Sequence, residues 1–373
     1  MKPETLGIGV IGAGLIGSLH CNSLRNIVKR NLLPLRLAHV ADLELERAKR
    51  FQAGFGFEQA SADPMAVLGD PAVDAVFVLT WTDSHPALVR SCAEHKKHVF
   101  CEKPLAFDAE TAREMAAAVT GAGLVNQVGL VLRQAPVWNV LRRELAGREL
   151  GFPITLIFRD DQCFPIKGAH PSTWRKDPVR AGRGTLLEHS IHDLDLLEWM
   201  FGPVNSVRAE TSSRFGISGI EDLVRVELEF ASAMTGTLVS VWHDVLNRHS
   251  DRRLEVFHER SFCFVEDEFI GPIHFMRGEG PMTRMSKEEV NREFWELRGI
   301  EDPALRELSL GFGFYEDYLF CRSVIEGIPA DPDFGVGVRA HVLVDACYES
   351  ARTGERVSMV EAGLQREVPG GRG

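Results

Sequence analysis

Short apolar runs alternate with amphipathic stretches over the first 130 residues of the chain. Each apolar run has the length of a strand, and each following stretch repeats its apolar residues at helical spacing. This alternation is typical of β-α-β units and therefore of a parallel sheet covered by helices. We predict strands at 7–11, 35–41, 75–79, 98–101 and 124–130, and helices at 15–30, 44–52, 85–95 and 109–119.

The pattern changes after about residue 150, where strand-like segments follow one another without long helices between them. Such a series predicts a largely antiparallel sheet. We expect strands at 152–160, 204–212, 223–230, 235–243, 254–257 and 261–266, and helices at 185–201, 314–326 and 336–351. The polar segment 271–308 has no clear period and is interpreted as a long excursion with one short helix, and 357–360 as a last strand before a glycine-rich tail.

These two patterns divide the chain. A length of 373 residues favours two domains, and the change of pattern falls between Gly129 and Gly151. We therefore predict an α/β chain with a doubly wound parallel sheet in residues 1–130 and an α+β domain with a largely antiparallel open sheet in residues 131–373.

Composition and charge narrow the class of protein. With 45% hydrophobic and 25% charged residues the chain is typical of a globular protein, and its net charge of -11 opposes binding to nucleic acid or to an anionic membrane. The absence of a long apolar run and of a signal-peptide pattern leads us to expect a soluble, cytoplasmic protein. The seven cysteines are scattered without C-x-x-C spacing, so we interpret them as reduced thiols rather than disulfides or zinc ligands.

A glycine-rich turn follows the first predicted strand and opens the first predicted helix. Its G-x-G-x-x-G pattern reads Gly12-Ala13-Gly14-Leu15-Ile16-Gly17. In this context Gly12 permits the tight turn, Gly14 lets the backbone approach a pyrophosphate, and Gly17 allows the helix to pack closely on the strand. Because the helix N-terminus also presents free N–H groups, we predict that a dinucleotide binds here.

An acidic residue, Asp42, comes at the end of the second predicted strand. A carboxylate at this place accepts hydrogen bonds from the ribose 2'-hydroxyl of NAD and repels the 2'-phosphate of NADP, so NAD is the favoured cofactor. Two alternatives stay open. Asp42 could cap the helix that starts near Glu44, and the nearby Arg47 and Lys49 keep NADP as a second cofactor.

The tripeptide Glu102-Lys103-Pro104 comes at the end of another predicted strand. Open α/β sheets bind their ligands at this edge, so Lys103 is a candidate for contact with a substrate oxygen beside a bound nicotinamide. Taken alone, the same tripeptide would be an ordinary surface turn.

A third group of polar residues belongs to the predicted helix 185–201. Glu188, His192 and Asp195 are spaced to lie on one helical stripe, with His189 and Asp193 pointing elsewhere. Carboxylates aligned with an imidazole could orient it and tune it for proton transfer, or the stripe could be a polar face whose groups satisfy one another. We expect no metal, because no His or Cys cluster has the usual spacing of zinc ligands.

Together these segments resemble the glucose-fructose oxidoreductase, inositol dehydrogenase and rhizopine-catabolism (Gfo/Idh/MocA) family. The resemblance rests on 9–17, on 102–104 and on 184–195, and it extends to 80–85, 174–175 and 348–350. It implies a Rossmann domain that binds NAD and an α+β domain whose open sheet forms homodimers or homotetramers. It also implies cofactor contacts from Thr80, Trp81, His85, Glu102, Lys103, Trp174 and Arg175.

The resemblance further implies that Lys103 and His192 lie beside the nicotinamide and the substrate, with Glu188 one helical turn earlier. Three departures bear on the substrate. Glu188 stands where relatives usually have Asp, Arg183 where they commonly have Gly, and Trp81 where Pro often follows the Thr.

From the residues and the resemblance we hypothesise an NAD-dependent dehydrogenase or reductase of a secondary alcohol or ketone in a sugar, sugar acid or cyclitol. His192 would be the general acid/base, Lys103 the electrostatic stabiliser or proton relay, and Glu188 the orienting carboxylate. Two alternatives are a redox-neutral NAD-dependent glycosidase and a non-catalytic dinucleotide-sensing regulator, although retention of Lys103 and His192 argues against the regulator. The segment 271–308 could be a substrate lid or an oligomer arm.

Overall fold

A computed structural model of the chain describes residues 5–147, 150–167, 172–311 and 314–359. Its first sheet has six strands in the order β3-β2-β1-β4-β5-β6, and all neighbouring strands are parallel. The strands are β1 (Leu6–Ile11), β2 (Leu35–Ala41), β3 (Gln59–Ser61), β4 (Ala75–Val78), β5 (His98–Cys101) and β6 (Asn126–Val128). The helices between them are α1 (Leu15–Lys29), α2 (Leu45–Phe51), α3 (Pro64–Gly69), α4 (His85–Glu94) and α5 (Ala109–Gly121).

This sheet confirms the predicted doubly wound parallel architecture. The central strand β1 is buried along its whole length, as a strand covered by helices on both faces must be. The prediction missed β3 and α3, because a three-residue strand and a six-residue helix are too short for a recognisable period.

The second sheet has nine strands in the order β14-β13-β12-β11-β7-β10-β9-β8-β15. They are β7 (Pro153–Cys163), β8 (Val204–Ser212), β9 (Leu223–Phe230), β10 (Thr235–His243), β11 (Asp251–His258), β12 (Ser261–Val265), β13 (Ile273–Arg277), β14 (Thr283–Met285) and β15 (Val357–Ser358). Only the central pair β7 and β10 is parallel among these described strands. The predicted, largely antiparallel sheet is therefore confirmed.

The helices that accompany this sheet are α6 (Pro136–Ala146), α7 (Pro178–Ala181), α8 (Thr185–Glu188), α9 (Ile191–Phe201), α10 (Lys287–Arg298), α11 (Pro303–Ser309), α12 (Phe314–Glu326) and α13 (Phe334–Thr353). Two of them pack on helices of the first sheet. Helix α12 packs on α1, and α13 packs on both α5 and β8. Within the described ranges, no helix has the length and apolar character needed to cross a membrane.

The prediction of one continuous helix at 185–201 was wrong. The helix breaks at His189 and Ser190, between α8 and α9. The carbonyl oxygen of Glu188 accepts a hydrogen bond from Lys103 Nζ at 2.7 Å, and the N–H of His192 donates to His189 instead. Glu188, His192 and Asp195 therefore do not share one helical stripe.

The prediction for 271–308 was also wrong. This segment adds β13 and β14 to the sheet edge and then forms α10 and α11. The buried Ile273 and Phe275 alternate with outward residues, while Ser286 and Glu289 form a capping box at the start of α10. Of the predicted strand 357–360, β15 covers only the first two residues, and position 360 and the glycine-rich tail lie outside the described residues.

Candidate active site

The glycine-rich turn has the backbone that its sequence requires. Gly12 has a φ of +108°, and a Cβ atom there would lie 2.5 Å from the carbonyl oxygen of Leu79. A Cβ atom on Gly17 would lie 2.3 Å from the carbonyl oxygen of Gly12, so α1 can approach the turn only because residue 17 lacks a side chain. Gly14, by contrast, faces open space.

This open side is suited to a diphosphate. Helix α1 starts at Leu15, and among the described residues no side chain caps its N-terminus. The N–H groups of its first turn are therefore available to an anion, and the helix dipole adds positive potential at the same place. The turn and helix start thus fit the diphosphate of a dinucleotide.

Asp42 lies against this turn. Its carboxylate accepts hydrogen bonds from the N–H of Ala13 at 2.9 Å and from the N–H of Glu44 at 2.9 Å. Arg47 lies 3.7 Å away. The carboxylate thus connects the turn to the start of α2, and the unused lone pairs of its oxygens are left for a ribose hydroxyl.

Lys103 and His192 line one cavity of about 590 Å³ between the two sheets. Of the other residues singled out from the sequence, Leu15, Ile16, Glu102, Arg175 and Glu188 also line it. Gly12, Ala13, Gly14, Gly17, Asp42, Thr80, Trp81, His85 and Trp174 do not. The cavity therefore runs from the start of α1 to the two residues for which catalytic roles were predicted.

The amine of Lys103 lies in a partly apolar environment. Its amine donates to the carbonyl oxygen of Glu188. Burial lowers the pKa of the Lys103 amine from its usual value, and the guanidinium groups of Arg175 and Arg252 act in the same direction. The carboxylate of Glu188 opposes this shift. Lys103 is thus a half-buried cation whose charge is directed at the cavity.

The imidazole of His192 is almost fully buried at 8% exposure. Burial, and then the positive charges of Lys103 and Arg252, hold its pKa well below the usual value of 6.5. His192 is therefore a neutral base at pH 7. Its Nδ1 atom is buried without a hydrogen-bond partner in the described chain, so no carboxylate orients the ring from that side.

Glu188 has different partners from those expected. Its carboxylate accepts from the hydroxyl of Thr82 at 3.0 Å and from Nε of Arg175 at 3.2 Å. Asp195, the other acid of the expected stripe, forms a two-bond ion pair with Arg133. The helix break separates Glu188 from the helix of His192, and Asp195 is bound by Arg133, so the prediction of one shared stripe was wrong.

The remaining predicted cofactor residues do not line the cavity and instead contact the loops beside it. The ring of His85 lies 2.9 Å from the carbonyl oxygen of Pro104 and 3.2 Å from that of Thr80, and so holds two loops together. The guanidinium of Arg180 lies 3.7 Å from the ring centre of Trp81, and that of Arg175 lies 4.4 Å from that of Trp174. These rings brace the loops beside the cavity.

A buried carboxylate fixes the start of α8. Glu221 accepts from the N–H of Gly184 at 2.9 Å, from the N–H of Leu186 at 3.0 Å and from the hydroxyl of Tyr348 at 2.9 Å. A Cβ atom on Gly184 would lie 1.8 Å from the carbonyl oxygen of Glu221, so this contact requires glycine. Arg183, one of the departures noted in the sequence, stacks on the ring of Tyr348 outside the cavity wall.

Comparison with protein families decides the assignment. The model of the Gfo/Idh/MocA oxidoreductase family with an NAD-binding Rossmann fold matches residues 6–130, and the model of the Gfo/Idh/MocA C-terminal domain matches residues 138–261. This chain belongs to the Gfo/Idh/MocA family. It is accordingly an oxidoreductase with an NAD-binding Rossmann domain, as the sequence predicted.

Curated Gfo/Idh/MocA relatives act on polyols and sugars. The chain is 30% identical to the myo-inositol 2-dehydrogenase of Thermotoga maritima over 265 residues, which cover 70% of this chain and 75% of the relative. It is 24% identical to the levoglucosan dehydrogenase of Pseudarthrobacter phenanthrenivorans, with 93% of this chain and 96% of the relative covered. A solved levoglucosan dehydrogenase in complex with NADH and levoglucosan has a TM-score of 0.81 at 21% identity, covering 95% of this chain and 99% of the other.

Sequence reasoning missed one side of the cavity of this Gfo/Idh/MocA protein. His189 lines the cavity beside His192, and Arg252 lines it from β11, so the expectation that His189 points elsewhere was wrong. His189 Nε2 lies 3.1 Å from Asp160 Oδ1 and 3.1 Å from Arg252 Nη2, and Arg252 Nε donates to Asp193 at 2.6 Å. The sequence signal that could have pointed to Arg252 is its charge at one of the alternating buried positions of β11.

This side of the cavity carries strongly perturbed groups. Burial, together with the charge of Arg252, lowers the pKa of His189 to about 3. Burial raises the pKa of Asp193 to about 7, although Arg252 opposes the shift. A neutral imidazole held by a buried charge network is suited to hydrogen bonding with a polar substrate.

Proposed function

We propose that this protein is an NAD-dependent dehydrogenase that exchanges a hydride with a secondary alcohol of a sugar, sugar acid or cyclitol. The observation that carries the proposal is the shared cavity, which Lys103 and His192 line together and which begins at the first turn of α1. The polyol and sugar dehydrogenases among the relatives support this class of substrate.

The residues of the cavity divide the chemistry among them. NAD, when bound, supplies the acceptor for the hydride of the alcohol. The glycine turn and the N-terminus of α1 would hold its diphosphate, and Asp42 its ribose. Lys103 stabilises negative charge on the substrate oxygen, while neutral His192 removes the hydroxyl proton and returns it in the reverse direction.

Glu188 has a positioning role in this scheme. Its carboxylate holds Arg175, and its carbonyl oxygen holds the amine of Lys103. The side chain of Glu188 thus fixes one cation, Arg175, and its main chain fixes the other, Lys103. We infer that Glu188 places Lys103 and Arg175 at the cavity rather than orienting His192.

The proposed activity is tested by the absorbance of NADH with a panel of cyclitols, sugars and sugar acids. We expect NADH to accumulate with at least one secondary alcohol, and NAD to serve better than NADP because the carboxylate of Asp42 lies at the ribose end of the site. Product formation without net NADH would favour the redox-neutral glycosidase, and coenzyme binding without any turnover would favour the regulator. Use of NADP at least tenfold better than NAD would contradict the role of Asp42.

We also propose that the protein forms homo-oligomers through the open face of its nine-stranded sheet. Ile157, Phe257 and Met276 lie on this face with exposures of 47%, 39% and 38%. The register places them together, because Phe257 lies opposite Phe262 and Phe262 lies opposite Met276. An apolar face of this kind is typical of a subunit interface.

Light scattering coupled to gel filtration tests the interface. We expect the wild-type chain to run as a dimer or tetramer and the Phe257→Asp variant to shift to smaller species, because a charge would be buried without a partner. Met65→Asp, which changes a 42% exposed residue on α3, is the matched control and should leave the mass unchanged. A monomeric wild-type protein would contradict the proposal.

A further inference from the structure

A buried group of four titratable residues lies where α12 packs on α1. The His20 cluster consists of His20 on α1, Glu102 after β5, and Glu316 and Asp317 on α12. Their exposures are 3%, 8%, 2% and 0%. All four line the cavity described above, so the cluster is buried but can be reached from it.

Two carboxylates hold the ring of His20. Its Nδ1 atom lies 2.7 Å from Asp317 Oδ1, and its Nε2 atom lies 3.1 Å from Glu102 Oε1. With an acceptor at each ring nitrogen the imidazole carries both protons, and its pKa is raised well above the usual value although burial alone would lower it. In this state His20 is a cation between two anions.

Glu316 has no such partner. Its Oε2 atom is buried without a hydrogen bond from any described residue, and so is Oδ2 of Asp317. The positive group acting on Glu316 is the same His20 that already faces two other carboxylates. Glu102 also lies near the charge of Lys103 and accepts a hydrogen bond from its N–H, whereas the positive group that acts on Glu316 is the shared imidazole. A buried carboxylate without compensation is costly unless it takes up a proton or a cation.

The geometry of the cluster favours a cation. One ligand atom from each of His20, Glu102 and Glu316 can be chosen so that all lie within 4.8 Å of one another. Small side-chain movements would bring them to the bond lengths of about 2.0–2.2 Å that a first-row divalent ion makes with nitrogen and oxygen. Asp317 would then hold the Nδ1–H of His20, which is the usual outer-shell support of a metal-bound histidine.

We propose that the His20 cluster is a binding site for one divalent transition-metal ion, Mn²⁺ or Zn²⁺, with His20 Nε2, Glu102 and Glu316 as ligands. One imidazole and two carboxylates match these ions better than Mg²⁺ or Ca²⁺, which prefer oxygen alone. The cavity gives the ion access and leaves room for water at its remaining positions. The three ligands come from distant segments, which is why the sequence spacing gave no sign of the site.

Metal binding at this place must release a proton. The ion needs the lone pair of Nε2, which carries a proton in the metal-free cluster, so metal and proton compete for His20.

The test is isothermal titration of the full chain with MnCl₂ after dialysis against a chelator, without coenzyme or substrate. Mn²⁺ is the first probe because Zn²⁺ would also bind exposed histidines. We expect one equivalent to bind. The Glu316→Gln variant should lose this binding, whereas Glu326→Gln, which makes the same change on the exposed end of the same helix, should keep it.

Thermal unfolding provides a second readout for the same variants. Mn²⁺ should raise the Tm of the wild-type chain and of Glu326→Gln but not of Glu316→Gln. Without metal, Glu316→Gln should unfold at the wild-type temperature or above it, because it removes an unpartnered buried carboxyl. No binding of Mn²⁺ or Zn²⁺ to the wild-type chain, or equal binding to Glu316→Gln, would overturn the proposal. Neither result depends on dehydrogenase activity.

Discussion

Replacing His192 by Ala is expected to lower kcat by ~100-fold or more while leaving the affinity for NAD nearly unchanged. An alcohol with a pKa near ~15.7 lies roughly 9 units above an ordinary histidine, and further above the depressed His192, so complete deprotonation by the ring would cost more than about 12 kcal/mol. Proton removal must therefore be concerted with hydride departure. The imidazole supplies the base for that step, but not the binding of the coenzyme.

Steady-state kinetics with the best alcohol, and fluorescence titration with NADH, measure the two quantities. His95→Ala is the matched control, because His95 is exposed at the end of α4 and away from the cavity. In the wild-type enzyme the oxidation rate should stay level near pH 7, and its fall on the acid side should come only when the pH is lowered through the depressed pKa of His192. Wild-type turnover in His192→Ala would remove this residue from the mechanism.

The second large effect is expected from Lys103→Met, with a fall in kcat of ~10²–10³-fold. The substitution keeps most of the apolar volume of the side chain and removes the charge that stabilises the substrate oxygen. It also frees the carbonyl oxygen of Glu188, so the break between α8 and α9 loses the hydrogen bond that replaces its helical partner. Single-turnover rates with saturating NAD report the chemical step.

The pH profile of the rate distinguishes the effect of the Lys103 charge from the effect of its hydrogen bond on the fold. Because burial lowers the pKa of this amine from 10.5, the wild-type rate should decline on the alkaline side before an ordinary lysine would lose its proton. Lys103→Met should lack that decline. Lys49→Met, at an exposed position of α2, serves as the control. An unchanged kcat in Lys103→Met would show that the cation is not needed at the reacting oxygen.

Local pattern was sufficient for most of the fold. The strands of the parallel sheet and the glycine turn depend on residues close in sequence, and the +108° φ of Gly12 is the conformation that the motif requires. The error at 185–201 reflects a distant contact. The break after Glu188 depends on an amine 85 positions earlier in the chain, and the ring of His20 is held by Asp317, 297 positions later.

The candidate site shows the same difference between local pattern and distant contacts. From the sequence, Lys103 and His192 could be paired only through the family resemblance, since spacing along the chain does not bring them together. Sequence reasoning did not find the roles of His189 and Arg252 or the contact of Glu221 with Gly184, because each depends on segments that are distant in the chain. Amphipathic periodicity shows which face of a helix or strand is buried, but it does not show which other elements pack against that face.

The packing of α12 and α13 has a consequence for ligand exchange. These helices lie late in the chain, yet one is seated on α1 and the other on both α5 and β8. Moving the two sheets apart would separate α13 from α5 or from β8. We therefore expect coenzyme and product to exchange by local rearrangements rather than by separation of the sheets.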